Sequence, residues 1–147
     1  MYSIKQIASL ETFPVRHPVL RPGKPVESCI FQGDDDEGTV HLGVFNDDAV
    51  VGVLSIFEAN GPLFEGKAQY QLRGMAVLPE YQKKGLGELL MQAAEDNISA
   101  KGGEVIWFNA REIAVGFYKK MGYAITGEPF SIGDIGIHYV MYKQLQN

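Results

Sequence analysis

The stretch LPEYQKKGLGELL, residues 78–90, joins a predicted β-strand to a predicted α-helix. The preceding residues, 69–77, have the pattern of a strand, which Pro79 stops. Behind Gly87 the apolar residues follow the i, i+3, i+4, i+7 spacing of an amphipathic helix, which predicts a helix over residues 85 to about 101. Its predicted apolar face consists of Leu86, Leu89, Leu90, Ala93, Ala94 and Ile98. A strand followed by a helix in this way is typical of an α/β layered domain.

The turn between strand and helix, residues 82–87, has the features of a phosphate site. The first N–H groups of a helix have no internal partners, and the helix dipole adds positive potential there. Glycines at 85 and 87 let a diphosphate approach the backbone without meeting a Cβ. Lys83 and Lys84 add side-chain charge. The alternative is a basic, solvated turn whose glycines serve the turn geometry alone.

Two known phosphate motifs are excluded by spacing. A P-loop requires Gly-x-x-x-x-Gly-Lys-Ser/Thr, and the chain has no such run. A dinucleotide fingerprint requires a third glycine, but position 90 is Leu. The turn alone therefore leaves the ligand open.

Other patterns predict the elements around this unit. Strands are predicted near residues 2–7, 41–45, 49–57, 105–108, 123–126 and 137–143, with a short helix near 9–20. Prolines and an acidic run argue against long regular structure over 9–38. Asn109 is predicted to cap a second helix that ends at Gly122, and Glu112 would complete a capping box. That helix is expected to bury Ala114, Phe117, Tyr118 and Met121.

Composition limits the function further. The 147 residues are most simply one domain, 1–147, with ordinary hydrophobic content. A formal charge of −5 argues against non-specific nucleic-acid binding. Cys29 is the only cysteine, so neither an intrachain disulfide nor a cysteine-based metal cluster is possible, and no metal is expected. With no signal peptide and no membrane-length apolar run, a cytoplasmic protein is predicted, as a monomer or homodimer.

Two motifs together make the chain resemble the GNAT N-acetyltransferase superfamily. The family's acetyl-CoA motif, Arg/Gln-x-x-Gly-x-Gly/Ala after a strand ending in Val-x-Pro, is matched by Val77-Leu78-Pro79-Glu80-Tyr81-Gln82-Lys83-Lys84-Gly85-Leu86-Gly87. The second motif, Asn-x-x-Ala-x-x-x-Tyr-x-x-x-Gly-Phe/Tyr, is nearly matched by residues 109–123, with a departure in the spacing from Asn to Ala. The resemblance covers roughly residues 40–143. It implies an α/β (α+β) fold, with a single mixed, mostly antiparallel sheet flanked by helices and a splay between the strands ending near Val77 and Phe108.

The resemblance also implies acetyl-CoA as co-substrate and assigns residues to it. Backbone N–H groups of 82–87 would hold the pyrophosphate, and main-chain groups of 75–77 would pair with the pantetheine arm. Gly74 would mark a bulge that admits the thioester, although a packing glycine is the alternative. The cofactor-binding residues implied are Met75, Ala76, Val77, Gln82, Lys83, Lys84, Gly85, Leu86, Gly87, Asn109 and Tyr118.

Catalytic roles are implied less evenly. Tyr118 matches the tyrosine that protonates the departing CoA thiolate in the family, and a core aromatic is its alternative reading. The base that takes the proton of the amine is not singled out: Glu58 is a candidate by position, His138 is another, and a water relay is a third.

The acceptor is left open by the sequence. In the superfamily it is bound by the variable first half and the loop before the last strand, here residues 17–37 and 130–136. Arginines of this first segment would suit an acidic acceptor, whereas the acidic run at 34–36 would suit a cationic one. The expected activity is acetyl transfer to a primary amine of a small molecule in a direct-attack ternary complex. The alternatives are a protein or peptide N-acetyltransferase and a non-catalytic CoA-binding module.

Overall fold

The computed structural model describes residues 1–61, 64–65 and 67–145. Within these, the strands are β1 Tyr2–Ile7, β2 Val40–Asn46, β3 Ala49–Glu58, β4 Gln69–Val77, β5 Val105–Arg111, β6 Ala124–Ile132 and β7 Gly136–Gln144. The α-helices are α1 Phe13–Leu20, α2 Leu86–Ala100 and α3 Val115–Lys120. Short 3-10 helices lie at Ser9–Thr12, Val26–Cys29, Pro79–Tyr81, Glu112–Ala114 and Gly133–Ile135. None of the helices in this described part of the chain is long and apolar enough to cross a membrane.

The strands form a mixed sheet in the order β1-β2-β3-β4-β5-β7-β6. The pairings β1–β2, β2–β3, β5–β7 and β6–β7 are antiparallel. The pairing of β4 with β5 is parallel and joins Gln69–Gln71 to Val105–Trp107. This confirms the predicted mixed, mostly antiparallel sheet.

The chain divides into two units. Unit 1 comprises Met1–Glu58 and Leu72–Asp96, and unit 2 comprises Ala59–Gln71 and Asn97–Asn147. Strand β4 and helix α2 each contribute residues to both units.

The core of unit 1 forms where helix α1 packs on strands β3 and β4. Val15, Val53 and Ala76 are buried together. Partly buried apolar side chains surround them, namely Ile7, Val19, Leu20, Val50 and Leu78. Strand β3 is buried along most of its length, as the run of apolar residues on both of its faces predicts.

Helix α2 confirms the predicted helix but not all of its predicted buried face. Leu86, Leu90, Ala94 and Ile98 are at most 1% exposed, whereas Leu89 is 46% exposed and Met91 is buried instead. The inclusion of Leu89 in the apolar face was therefore wrong. The buried face consists mainly of residues spaced four apart, and position 89 lies beside this row on the solvent side. At the other end, Gly103 donates its N–H to the carbonyl of Ile98, which caps the end of the helix.

In unit 2 the structure corrects the prediction that Asn109 caps a helix. Strand β5 continues through Asn109, which pairs with Val140 of β7, so Asn109 is not a helix N-cap. The α-helix begins six residues later, at Val115. Pairing along the full edge of β7 outweighs the local capping pattern, because each added ladder residue satisfies backbone groups that the cap would leave to solvent. The side chains predicted to be buried by this helix are half-buried, namely Ala114, Phe117, Tyr118 and Met121.

Candidate active site

The turn that precedes helix α2 presents unpaired backbone donors. Lys83 has φ 63° and Gly85 has φ 81°, so the chain turns back through two left-handed residues before the helix begins at Leu86. Within the described part of the chain, no backbone acceptor pairs with the N–H groups of residues 83–87. The first helical turn holds one carboxylate, Glu88, and the turn before it holds two lysines, Lys83 and Lys84. This is the geometry of an anion site at a helix N-terminus.

Gln82 closes the turn. Its backbone N–H donates to the Pro79 carbonyl at 3.3 Å, and its side-chain Nε2 donates to the Val77 carbonyl at 2.9 Å. The free donors of the turn are consequently those of Lys83 and the residues after it. Tyr81 connects the turn to strands β1 and β2. Its hydroxyl accepts a hydrogen bond from Asn46, and its ring packs edge-on against that of Tyr2.

Strand β4 leads to this turn and carries an interrupted backbone. Gly74 has φ 68°, a conformation that no side-chain-bearing residue adopts easily inside a strand. A Cβ at this position would come within 2.8 Å of Cε2 of Phe31, so both the backbone and the space require glycine. Beyond Gly74 lie Met75, Ala76 and Val77, and then the N–H of Leu78 donates to Val51.

Tyr118 lies among the aromatic rings of unit 2. Its ring centroid is 4.4 Å from that of Phe108, 5.1 Å from that of Phe117 and 6.4 Å from that of Tyr123. Burial raises the pKa of the Tyr118 hydroxyl to about 12. Among the residues described, none is hydrogen-bonded to this hydroxyl. Tyr118 is therefore a neutral phenol at physiological pH, packed among three aromatic rings.

The remaining candidates occupy different surroundings. Asn109 lies on β5 with an exposed side chain. Glu58 is exposed at the end of β3, and its carboxylate fills the space beside Gly38 that a Cβ would take. His138 is 5% exposed, and its Nδ1 lies 2.9 Å from the Gly136 carbonyl oxygen.

A buried polar network in unit 1 was not predicted from sequence. Arg16 is fully buried, and its guanidinium donates to Asp34, to the Cys29 carbonyl and to the hydroxyl of Ser55. His41 contacts the same hydroxyl through Nδ1 at 2.6 Å. Because Ser55 is fully buried and already accepts from Arg16, this set is a structural network and not a nucleophilic triad. An arginine inside an apolar helix, beside Val15, was the signal that could have revealed it.

Known proteins resemble this chain in sequence. The sequence profile of the acetyltransferase (GNAT) family matches residues 3–123. An uncharacterized N-acetyltransferase of Bacillus subtilis, YitI, is 39% identical over 146 residues, which cover 99% of this chain and 98% of the relative.

Solved structures share the fold. The ribosomal-protein-S18-alanine N-acetyltransferase of Escherichia coli superposes with a TM-score of 0.78 at 15% identity, covering 98% of this chain and 94% of the other. An aminoglycoside 6'-N-acetyltransferase complexed with coenzyme A superposes with a TM-score of 0.77 at 14% identity, covering 97% and 96%. At these identities the likeness concerns the fold, and the family assignment rests on the profile and the relative. The chain belongs to the GNAT acetyltransferase family and is an acyltransferase.

Proposed function

We propose that this protein transfers the acetyl group of acetyl-CoA to a primary amine of a small-molecule acceptor, by direct attack in a ternary complex. The observation that carries the proposal is the turn at Lys83–Gly87, with left-handed residues at 83 and 85 and unpaired N–H groups ahead of a 15-residue helix. A diphosphate is the part of CoA that such a turn binds best, because several N–H donors converge on it and two lysines offset its charge.

The strand before the turn holds the rest of the donor. Main-chain groups of Met75, Ala76 and Val77 pair with the pantetheine amides in the manner of an added strand. The left-handed Gly74 turns the backbone just before them. An N–H of this segment donates to the acetyl carbonyl. Such a donor stabilises the oxyanion that forms when the amine attacks the carbonyl carbon.

Tyr118 assists the leaving group. As the carbon–nitrogen bond forms and the carbon–sulfur bond breaks, the sulfur acquires negative charge, and the Tyr118 hydroxyl donates a proton toward it. A thiol has an ordinary pKa of about 8.5, well below the pKa of about 12 of Tyr118. The contribution of Tyr118 is accordingly a strong hydrogen bond to the developing thiolate, and solvent completes the protonation of the sulfur.

The attacking amine must be neutral and must lose a proton after attack. Glu58 receives that proton, directly or through water. Its exposed position at the end of β3 leaves its carboxylate open to solvent, which suits a relay through water. Asn109, with its exposed side chain on β5, contributes a hydrogen bond to CoA.

A thiol-release assay tests the proposal, with acetyl-CoA and a panel of polyamines, amino acids, aminoglycosides and peptides. Release that depends on a small amine is the expected result, and Tyr118→Phe is expected to slow it by roughly tenfold or more, as for the loss of one hydrogen bond to a charged group. Exclusive activity on peptides would indicate the protein N-acetyltransferase alternative. Tight CoA binding without transfer to any amine would indicate a CoA-binding module.

A further inference from the structure

Three arginines converge on one aromatic ring in unit 1. The guanidinium carbon of Arg16 lies 3.9 Å from the ring centroid of Phe31, that of Arg73 lies 5.2 Å away, and that of Arg21 lies 5.3 Å away. Arg73 also lies 5.0 Å from the ring centroid of Phe57. Two of the three, Arg21 and Arg73, are partly exposed, whereas Arg16 is fully buried.

Among the described residues, Arg16 alone of these arginines has a carboxylate partner. Asp34 is bound by Arg16 through two hydrogen bonds, of 2.6 and 3.0 Å, and it also accepts the Phe31 N–H at 2.9 Å. Over the described residues, no carboxylate lies within ion-pair distance of Arg21 or Arg73. The described residues of the acidic run supply none for Arg21 or Arg73. The Asp35 carboxylate accepts a hydrogen bond from Ser9 instead.

The two partly exposed arginines each have N–H groups that bind no described residue. Arg21 donates through Nε to the Ser28 carbonyl and through Nη1 to the Leu20 carbonyl. Arg73 donates through Nη1 to the Gln32 carbonyl at 3.3 Å. Burial lowers the pKa of the Arg73 guanidinium, and the charges of Arg16 and Arg21 lower it further, while Asp34 raises it. The charges of Arg21 and Arg73 are thus close enough to interact, and neither has a carboxylate within ion-pair distance among the described residues.

We propose that Arg21 and Arg73 bind a carboxylate carried by the acceptor, which makes the acceptor an amino acid or a similar small amine with a carboxylate. A guanidinium presents a planar pair of donors that matches a carboxylate, and two guanidiniums around one ring hold that group in a fixed orientation. Arg16 is a positioning residue: it stacks on Phe31 and neutralises Asp34, which would otherwise compete with the carboxylate of the acceptor.

The position of the cluster supports an acceptor role. Arg73 precedes Gly74, the left-handed residue assigned above to the acetyl site, and a Cβ on Gly74 would meet the ring of Phe31. The arginine cluster therefore lies next to the segment of β4 on which the acetyl carbonyl is proposed to sit. This inference rests on the proposed N-acetyltransferase function, since it names the acceptor class of that site.

Amino acids and their α-amides, compared as acceptors, test it. The amide keeps the amine and the side chain and removes only the carboxylate. For the best amino acid of the panel, kcat/KM is expected to exceed that of its amide by roughly tenfold or more, as for a charged hydrogen-bonded pair. The difference between acid and amide is expected to lie in KM. Arg73→Gln and Arg21→Gln are each expected to reduce this difference. Lys5→Gln, which removes a cation from an exposed position of β1, is the matched control and is expected to keep the preference.

The outcomes separate this inference from the proposed function. Transfer to amines with equal kcat/KM for acids and amides would overturn the carboxylate site and leave the acetyltransferase in place. A preference for phosphate-bearing amines over amino acids would overturn it as well. If the protein shows no turnover, binding of N-acetyl amino acids and of their amides is measured directly by calorimetry. Tighter binding of the acids that is lost in Arg73→Gln supports the site, and equal binding or no binding refutes it.

Discussion

Arg16 and Asp34 form a bidentate ion pair with both side chains almost completely buried, at 0% and 3% exposure. The pair joins helix α1 to the segment before β2, across 18 positions of the chain. A buried pair of this kind stabilises little as a whole, because desolvation offsets the attraction, but either partner alone is an uncompensated buried charge.

Asp34→Asn is accordingly expected to lower the free energy of unfolding by about 3–5 kcal/mol, because it leaves the Arg16 charge buried and unpaired. Asp35→Asn makes the same chemical change at an exposed neighbouring position, where a loss within about 0.5 kcal/mol is expected. Urea unfolding followed by circular dichroism measures both. Equal effects of the two substitutions would mean that the buried pair is not formed.

The same carboxylate sets an acid limit on stability. Burial raises the pKa of Asp34, but hydrogen bonds from Arg16 and the Phe31 N–H and the charges of Arg16 and His41 outweigh it, so the pKa lies below its ordinary value of 3.8. Stability from the charged form is therefore present above about pH 4 and is lost as the pH falls through the lower folded value. Unfolding midpoints from pH 5 to pH 2 are expected to fall more steeply in wild type than in Asp34→Asn.

Tyr118 sets a limit at the alkaline end. Its folded pKa of about 12 exceeds the ordinary value of 10.0, so folding favours the neutral phenol. The difference is fully present below pH 10, and stability falls as the pH rises from 10 toward 12. Tyr118→Phe is expected to flatten this part of the stability profile, measured by urea unfolding at stepped pH.

A second tyrosine requires its own control in that experiment. Desolvation and the charge of Glu112, to which its hydroxyl donates, also raise the pKa of Tyr139. Tyr139→Phe is measured in parallel for this reason. If the loss of stability at alkaline pH persists in Tyr118→Phe and disappears in Tyr139→Phe, it arises from Tyr139, and the expected effect of Tyr118 is refuted.

Gly85 offers a controlled test of the pyrophosphate site. Gly85 and Gly102 both have φ 81°, and a Cβ at either would meet no other atom within 4 Å. Gly85→Glu and Gly102→Glu consequently carry the same backbone cost, about 1–2 kcal/mol for a left-handed residue. Only the first places a carboxylate beside the proposed diphosphate.

CoA affinity is therefore expected to fall by roughly tenfold or more in Gly85→Glu, equivalent to about 1.4 kcal/mol, and to stay near wild type in Gly102→Glu. Calorimetric titration with CoA measures both variants. If CoA affinity falls equally in the two variants, the effect comes from backbone strain and the pyrophosphate site at Gly85 is refuted.

Most of the fold could be predicted because its signals are local. The strand that ends at Val77 and the helix after Gly85 appear where the change of hydrophobic period places them. The error at Leu89 has a simple origin: an apolar stripe of i, i+3 and i+4 residues is wider than the buried face, and only packing decides which flank is exposed.

Two features depended on contacts that no local pattern contains. Asn109 has the sequence of a helix cap, yet its pairing with Val140 keeps it in β5. The acidic run has the sequence of a solvated loop, yet Asp34 is buried by an arginine far along the chain. For this reason the sequence left an acidic and a cationic acceptor equally open, and the pairing of Asp34 with Arg16 became visible only in the structure.

The left-handed Gly74 limits which positions can be varied in a redesign of the acceptor site. Its backbone conformation and the ring of Phe31 leave no room for a side chain, so position 74 must stay glycine. Arg21 and Arg73 have no such constraint, since their guanidiniums are partly exposed and lack a carboxylate partner among the described residues. A library that randomises these two positions and keeps Arg16, Asp34 and Gly74 would explore acceptor chemistry on an unchanged frame.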